Sequence, residues 1–220
     1  MKQAELNVIS TITEGMQIGL KNVASLIIAA ILYVFTIWIP YINVGTTIAM
    51  MTIPGRLAKG EVISPLFIFG SEYRKDFSAF FLLMAFINMV VFVGFCFMVI
   101  PAIVISLSMS LAVYILVDFD KSPTDAMKLS NQATTGHKWT MFFIEILFYI
   151  VIAILGAIIK SIADVLGDTL GMILIALYIA SIIPFKLGIN SVIYRTLFLE
   201  TYEEVAATAE PKAGVSEVEE

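Results

Sequence analysis

Two oppositely charged residues, Glu145 and Lys186, lie inside long apolar segments of the sequence. A charge within a membrane helix is costly, so such a side chain usually faces protein or water and often marks a transport path. The two segments are consecutive, and we expect both residues at a similar depth on neighbouring helices. Three roles are open for this candidate polar pair: a structural ion pair, two side chains that snorkel to the membrane surface, or a proton-linked transport site.

A second pattern is a stripe of small residues. Ala102, Ser106 and Ser110 stand four residues apart in one apolar segment. Small residues at helical spacing allow helix backbones to approach closely in lipid. The stripe therefore predicts a helix-packing face, with the lining of a pore as the alternative.

The sequence lacks the short motifs of membrane enzymes. It contains no H-E-x-x-H, no G-x-S-x-G and no G-x-x-x-x-G-K-[ST]. Its one histidine, His137, stands beside a glycine at an expected helix end, and its one cysteine is Cys96. Asp118, Asp120 and Asp125 resemble the start of a calcium loop, but proline stands where that loop needs glycine. We therefore expect no enzymatic activity, no catalytic residues, no metal site and no cofactor.

The composition indicates that lipid is the solvent of this chain. Hydrophobic residues make up 60% of the 220 residues and charged residues 14%, and the mean hydropathy is +0.95. Soluble domains hold about 45–50% apolar and about 25% charged residues. The composition predicts an all-α polytopic membrane helix bundle, with membrane lipids as partners and another membrane protein or a second copy as further candidates. The sequence has no basic patch with interleaved aromatic residues, so we expect no binding of nucleic acid.

The uncharged runs predict six transmembrane helices, since a span needs roughly 20 apolar residues. Their approximate ranges are 23–39, 41–57, 77–99, 101–117, 138–159 and 169–199. The run from Val23 to Pro54 is too long for one straight span, and Pro40 stands where a break would help. A single kinked helix over 23–54 is the alternative. The six spans make residues 1–202 one transmembrane domain.

Two further segments have the pattern of amphipathic interfacial helices. Residues 5–20 place apolar residues at steps of three and four, at Leu6, Ile9, Ile12, Met16 and Leu20. Ser122 and Pro123 form a helix start, and Gly136 supplies a helix end. We expect both helices on the cytoplasmic side of the bundle.

The basic residues predict the orientation, because lysine and arginine favour cytoplasmic loops. If the N-terminus is inside, the inner segments hold nearly all of them: Lys2, Lys21, Arg56, Lys59, Arg74, Lys75, Lys121, Lys128, Lys138, Arg195 and Lys212. The outer segments hold only Lys160. We expect a multi-pass protein of the cytoplasmic membrane with both termini in the cytoplasm. The glutamate-rich residues 203–220 lack apolar periodicity and are expected to form a disordered acidic tail.

A set of scattered residues carries a likeness to one known family: Lys21-Asn22, Gly45, Gly60, Phe67, Phe69, Pro101, Asp118 through Ser122, Ala126, Ser130, Gly136 and Tyr194. At these residues the chain resembles the bacterial DUF975/YciC-like integral membrane family, which is related to the membrane domain of some glycerophosphodiester phosphodiesterases. The resemblance implies a six-helix membrane protein, and the soluble phosphodiesterase domain is absent from this sequence. We expect a non-enzymatic structural or accessory partner of another membrane system. The alternative is a small transporter or channel that uses Glu145 and Lys186.

Overall fold

The structure is a computed structural model that describes residues 6–75 and 77–202. These residues form helices and connecting turns, with no β-strand among them. The helices are α1 (Val8–Lys21), α2 (Val23–Thr36), α3 (Pro40–Ala58), α4 (Phe77–Phe97), α5 (Val99–Met109), α6 (Ala112–Phe119), α7 (Pro123–Thr134), α8 (Lys138–Leu166) and α9 (Asp168–Tyr194). Two 3₁₀ turns, Pro65–Phe69 and Ser71–Arg74, connect α3 to α4, and a π-helical turn, Arg195–Leu199, extends α9. The expected acidic tail lies outside the described residues.

Four helical stretches of the described chain are long and apolar enough to cross a membrane. They are Phe77–Phe97, Val99–Phe119, Lys138–Leu166 and Asp168–Tyr202. The pair α1 and α2 passes the same test together but is bent by 73°, which makes a fifth span if the pair counts as one. The helical, apolar character of the chain is thus confirmed. The predicted count of six is not, because neither α2 nor α3 is among the four stretches.

The four stretches form two antiparallel hairpins. In the first, α4 returns through α5 and α6, and Gly94 lies so close to Ala102 that an added Cβ would be 3.1 Å from the Ala102 Cα. In the second, α8 turns into α9 at Gly167, whose φ of +81° suits glycine. Gly171 there approaches the Ala163 carbonyl, where an added Cβ would come within 2.5 Å of the oxygen. We call these the α4–α6 hairpin and the α8–α9 hairpin.

The remaining elements, α1, α2, α3, the two 3₁₀ turns and α7, pack around one end of both hairpins. Together with the hairpin segments at that end, α6 and the C-terminal half of α9, they form what we call the basal layer. Most of the buried apolar side chains lie here, among them Ile48, Ile53, Ile68, Leu111, Ile115, Ile189 and Tyr194. The far parts of the hairpins have few buried residues, so the fold has one dense layer from which two hairpins project.

Helix α3 runs across the basal ends of the hairpins. Lys59, just after α3, forms an ion pair with Asp118 near the end of α6. Gly45, in the first half of α3, lies against the side chain of Arg74, shortly before α4 begins. The start of α4 and the end of α6 are at the same end of an antiparallel hairpin. Helix α3 therefore lies near the start of α4 at one point and near the end of α6 at another.

Helix α1 packs antiparallel against α9 through a stripe of small residues. Thr11, Gly15 and Gly19 are its buried residues. A Cβ at Gly15 would lie 2.5 Å from the Ile189 Cα, and one at Gly19 would lie 2.7 Å from the Pro184 carbonyl oxygen. The contact thus needs glycine, as in other close helix crossings. Of the apolar positions that predicted an interfacial helix over 5–20, Ile9 is 73% and Leu20 57% exposed, whereas Leu6 is buried and Ile12 packs against the core.

Candidate functional site

The structure brings Glu145 and Lys186 together. Nζ of Lys186 donates a hydrogen bond to Oε1 of Glu145, which joins α8 to α9. The ammonium group also lies 5.8 Å from the ring centre of Phe148 and 5.9 Å from that of Tyr149, within cation–π range. Each charged side chain is about a quarter exposed, at 26% and 25%. The two charges therefore compensate each other within a partly shielded site.

The pair lies toward the basal end of the α8–α9 hairpin. At a rise of about 1.5 Å per residue, α9 extends about 27 Å from Asp168 to Lys186. On α8, the distance from Glu145 to Leu166 is about 31 Å by the same measure. A bilayer core is about 30 Å thick. If the tip of the hairpin marks one face of that core, the ion pair lies at the opposite face and not in the middle.

A small cavity with a mixed polar and apolar lining adjoins the carboxylate of this pair. It has a volume of about 80 Å³ and is lined by Leu107, Ser110, Leu111, Tyr114, Met141, Glu145, Asn190 and Ile193. A buried water molecule needs about 10–15 Å³ of such space and two to four polar partners. The hydroxyls, the amide and the carboxylate supply those partners. The cavity has room for several water molecules beside Glu145.

The same cavity borders a break in a helix. The stretch that runs from Val99 to Phe119 is interrupted between α5 and α6, at Ser110 and Leu111. Ser130 of α7 is fully buried at this break; its hydroxyl donates to the carbonyl oxygen of Ser108 at 2.6 Å and accepts from the N–H of Leu111 at 3.2 Å. Backbone groups released by a helix break need such partners, especially next to lipid. Helix α7 thus completes the hydrogen bonding of the broken helix.

The predicted packing face of small residues is only partly buried. Ala102 is 7% exposed and lies against Gly94 of α4. Ser106 and Ser110 are exposed, and the buried serine of this helix is Ser108. Ser110 instead lines the cavity beside Glu145.

A second polar cluster ties three helices together in the basal layer. The Tyr194 hydroxyl of α9 donates to Oδ2 of Asp118 at 3.0 Å, and Nζ of Lys59 lies 2.9 Å from Oδ1 of the same carboxylate. The Asp118 side chain is only 11% exposed. A Cβ at Gly55 would lie 3.1 Å from Oδ2, so the glycine leaves space for the carboxylate. Asp118 is thus engaged by a tyrosine and a lysine from neighbouring helices.

The other residues considered for chemistry stand apart. His137 precedes α8, and Cys96 is exposed near the tip of the α4–α6 hairpin. The carboxylate of Asp125 accepts from Ser122 at the start of α7, which places it in a capping interaction. Within residues 6–75 and 77–202, no three histidine, cysteine, aspartate or glutamate side chains are grouped closely enough to hold a metal ion.

Sequence reasoning missed the contacts of the basal layer. The G-x-x-x-G spacing of Gly15 and Gly19 was the available signal for the α1–α9 contact. Ser130 stands at helical spacing between Ala126 and Thr134, which marks one face of α7 but not the helix that it meets. The partners of Asp118 lie far away in the sequence, and no spacing rule connects them.

The resemblance to the DUF975/YciC-like family stays a prediction. Comparison of the chain with protein-family models, with curated protein sequences and with solved structures finds no match.

Proposed function

We propose that this chain is a non-enzymatic integral protein of the cytoplasmic membrane that acts as a structural or accessory partner of another membrane protein. The observation that supports this role is the separation of its two hairpins. Helices α8 and α9 pack on each other along their length, whereas the α4–α6 hairpin contacts them mainly near the basal end, as in the ring contact of Tyr114 with Tyr194. The contact between the hairpins also involves Leu107 and Met141.

The far parts of both hairpins present apolar side chains on several sides. The exposed apolar residues include Phe92, Phe95, Phe97, Met98, Val99 and Ile100 on the α4–α6 hairpin, and Ile154, Ile158, Leu170, Met172, Ile173 and Leu177 on the α8–α9 hairpin. Exposed apolar side chains are by themselves expected on a surface that faces lipid. Helices in lipid nevertheless associate through close packing, and two hairpins with free flanks offer surfaces for helices of a partner. The partner is another membrane protein or a second copy of this chain.

We propose four spans, with both termini in the cytoplasm and the basal layer at the inner membrane surface. An even number of spans keeps both termini on one side. The α2–α3 connection contains no lysine or arginine, so four spans keep the same inner set of basic residues as six would. The position of α3 across the basal ends supports this topology. Helices α1, α2, α3 and α7 then lie at the inner surface, which is where an interfacial role was expected for α1 and α7.

A small transporter or channel is the second candidate, favoured by the cavity beside Glu145 and the broken helix that borders it. Broken helices line the binding sites of many transporters. The cavity, however, lies at the basal end of the hairpins. Toward the far end, the described residues between α8 and α9 are mainly apolar, with Tyr178 bonded to the Ile152 carbonyl oxygen. One chain by itself thus offers little for a polar solute in the outer half of the membrane.

Site-specific photo-crosslinking in cells distinguishes the two roles. A photoreactive phenylalanine at Ile158 or Ile173 on the α8–α9 hairpin should give one repeated protein–protein product, either with a second copy or with one other membrane protein. The control position is Phe35 on α2, which belongs to the basal layer and is more exposed, at 71%, than Ile158 at 51% and Ile173 at 53%. It should give no such product.

A flux assay in proteoliposomes tests the transporter role directly. Vesicles with an internal pH dye should show no proton flux above empty vesicles, either with the natural chain or with Glu145→Gln. Flux that disappears in Glu145→Gln but persists in the exposed control Asp164→Asn would overturn the accessory role and support the transporter.

A further inference from the structure

We propose that a polar pocket in the basal layer binds the headgroup of a phospholipid that carries both an ammonium and a phosphate group. The pocket has a volume of about 280 Å³ and is lined by charged side chains from α3, α6 and the connection to α4, chiefly Arg56, Lys59, Glu61, Glu72 and Asp118. It is distinct from the cavity beside Glu145.

The cations of the pocket can hold a phosphate. The Arg56 guanidinium lies 5.8 Å from the ring centre of Phe67 and 5.4 Å from that of Tyr73, so two aromatic rings fix its plane. It makes single, long contacts to Glu61 at 3.5 Å and Glu72 at 3.3 Å. Guanidinium has five N–H donors, and these contacts leave donors for a phosphate oxygen. Lys59, paired with Asp118, adds a second positive charge.

The carboxylates of the pocket suit an ammonium group. Glu61 and Glu72 are 46% and 56% exposed and lie on the same guanidinium, and carboxylates outnumber cations in the pocket. In the described part of the chain, these carboxylates do not belong to any group of three acidic, histidine or cysteine side chains that could hold a metal ion. The two carboxylates stand beside the Arg56 guanidinium. This arrangement suits a ligand whose ammonium group binds the carboxylates while its phosphate, a few atoms away, binds the guanidinium. A primary ammonium group offers three N–H donors to them.

The surroundings of the pocket indicate a lipid as the source of this zwitterion. The chain that follows Glu61 carries exposed apolar side chains, with Val62 88%, Leu66 66% and Phe69 42% exposed. Apolar side chains next to charged ones are typical of a segment that lies in the membrane interface. The pocket is therefore at the depth of the headgroups, where ammonium–phosphate lipids are the abundant zwitterions. A free solute such as phosphoethanolamine shares the same chemistry.

The test uses the purified full chain in mild detergent and short-chain lipids as probes. Short-chain phosphatidylethanolamine should raise the melting temperature in a saturable manner. Phosphatidylglycerol lacks the ammonium group, and phosphatidylcholine lacks its N–H donors, so both should give a much smaller shift. Free phosphoethanolamine should bind more weakly than the lipid, since it lacks the apolar contacts.

Variants locate the binding to the pocket. Arg56→Gln and Glu72→Gln should each weaken phosphatidylethanolamine binding at least about tenfold, because each removes charge-assisted hydrogen bonds. The matched controls are Lys160→Gln and Asp164→Asn, an exposed ion pair at the far end of the α8–α9 hairpin, and both should bind as the natural chain does. Glu72 is more than half exposed, so its variant carries the test if Arg56→Gln does not fold.

Equal shifts with all three lipids, or unchanged affinity in Glu72→Gln, would overturn the proposed site. Tight binding of free phosphoethanolamine with no gain from the lipid chains would overturn the lipid as its ligand.

Discussion

The hydroxyl of Ser130 on α7 donates a 2.6 Å hydrogen bond to the carbonyl oxygen of Ser108 on α5. The same hydroxyl accepts from the Leu111 N–H at the start of the next helical segment. One side chain therefore bonds both sides of the break in the helix beside Glu145. This contact links helix α7 to the geometry of the cavity.

We predict that Ser130→Ala destabilises the protein by about 1–3 kcal/mol, because it leaves two buried backbone groups without a partner. The measurement is the melting temperature in detergent. Ser161→Ala, which removes an exposed hydroxyl bonded within its own helix, should change it little. Equal effects of the two substitutions would show that the break does not depend on α7.

The contact between α1 and α9 gives a second prediction. Gly15→Leu should destabilise the protein by about 1–3 kcal/mol, since the added side chain must displace the Ile189 backbone. Gln17→Leu adds a similar side chain to an exposed position of the same helix and should be tolerated. Unfolding in denaturant measures both. A neutral Gly15→Leu would mean that α1 does not pack on α9 at this glycine.

The sequence predicted the apolar helices because a long uncharged run is a local property. The ranges 77–99, 101–117, 138–159 and 169–199 all overlap the four helical stretches that are long and apolar enough to cross a membrane. The arrangement of α2 and α3 was not predictable in this way. Their apolar run is long enough for two short spans, and the position of α3 depends on contacts with distant residues, such as that of Lys59 with Asp118 and that of Gly45 with Arg74.

The candidate site was predictable to a similar degree. Glu145 and Lys186 are conspicuous because charges are rare inside apolar runs, and consecutive helices bring them together. Ser110 was singled out for its small size, but its place beside the cavity follows from the helix break, which has no proline or glycine to mark it. Asp118, Tyr194 and Ser130 act through contacts between distant parts of the chain.

Tyr73 gives a prediction that depends on pH. The side chain is 2% exposed, and its hydroxyl has no hydrogen-bond partner in the described part of the chain. Burial raises the pKa of Tyr73 from 10.0 to about 12. Between these values the phenol ionises in the unfolded chain but not in the folded one, so the free energy of unfolding falls as the pH rises from 10 toward 12.

Tyr73→Phe should remove this part of the pH dependence and leave stability at pH 7 unchanged or slightly higher, because it deletes a buried polar group without a partner. Denaturant unfolding of both proteins at pH 7, 10 and 11 measures the difference. Parallel pH profiles would show that the Tyr73 phenol does not have a raised pKa.

The ion pair of Glu145 and Lys186 predicts non-additive substitutions. Removing one partner leaves a partly shielded charge uncompensated, whereas removing both does not. In a double-mutant cycle with Glu145→Gln and Lys186→Met, the coupling should be about 0.5–3 kcal/mol. Melting in detergent at low and moderate salt is the readout. Additive losses would contradict the pairing.

The topology is the central claim, and labelling of single cysteines tests it most directly. Cys96→Ser provides a background without cysteine, into which Trp38→Cys or Asp164→Cys is introduced. Trp38 is 86% exposed at the connection between α2 and α3. With four spans and the basal layer inside, a membrane-impermeant maleimide added to intact cells should label Asp164→Cys but not Trp38→Cys. Trp38→Cys should react only after the membrane is permeabilised. Labelling of Trp38→Cys in intact cells, together with Asp164→Cys, would contradict the four-span arrangement and restore the six spans in which α2 and α3 both cross.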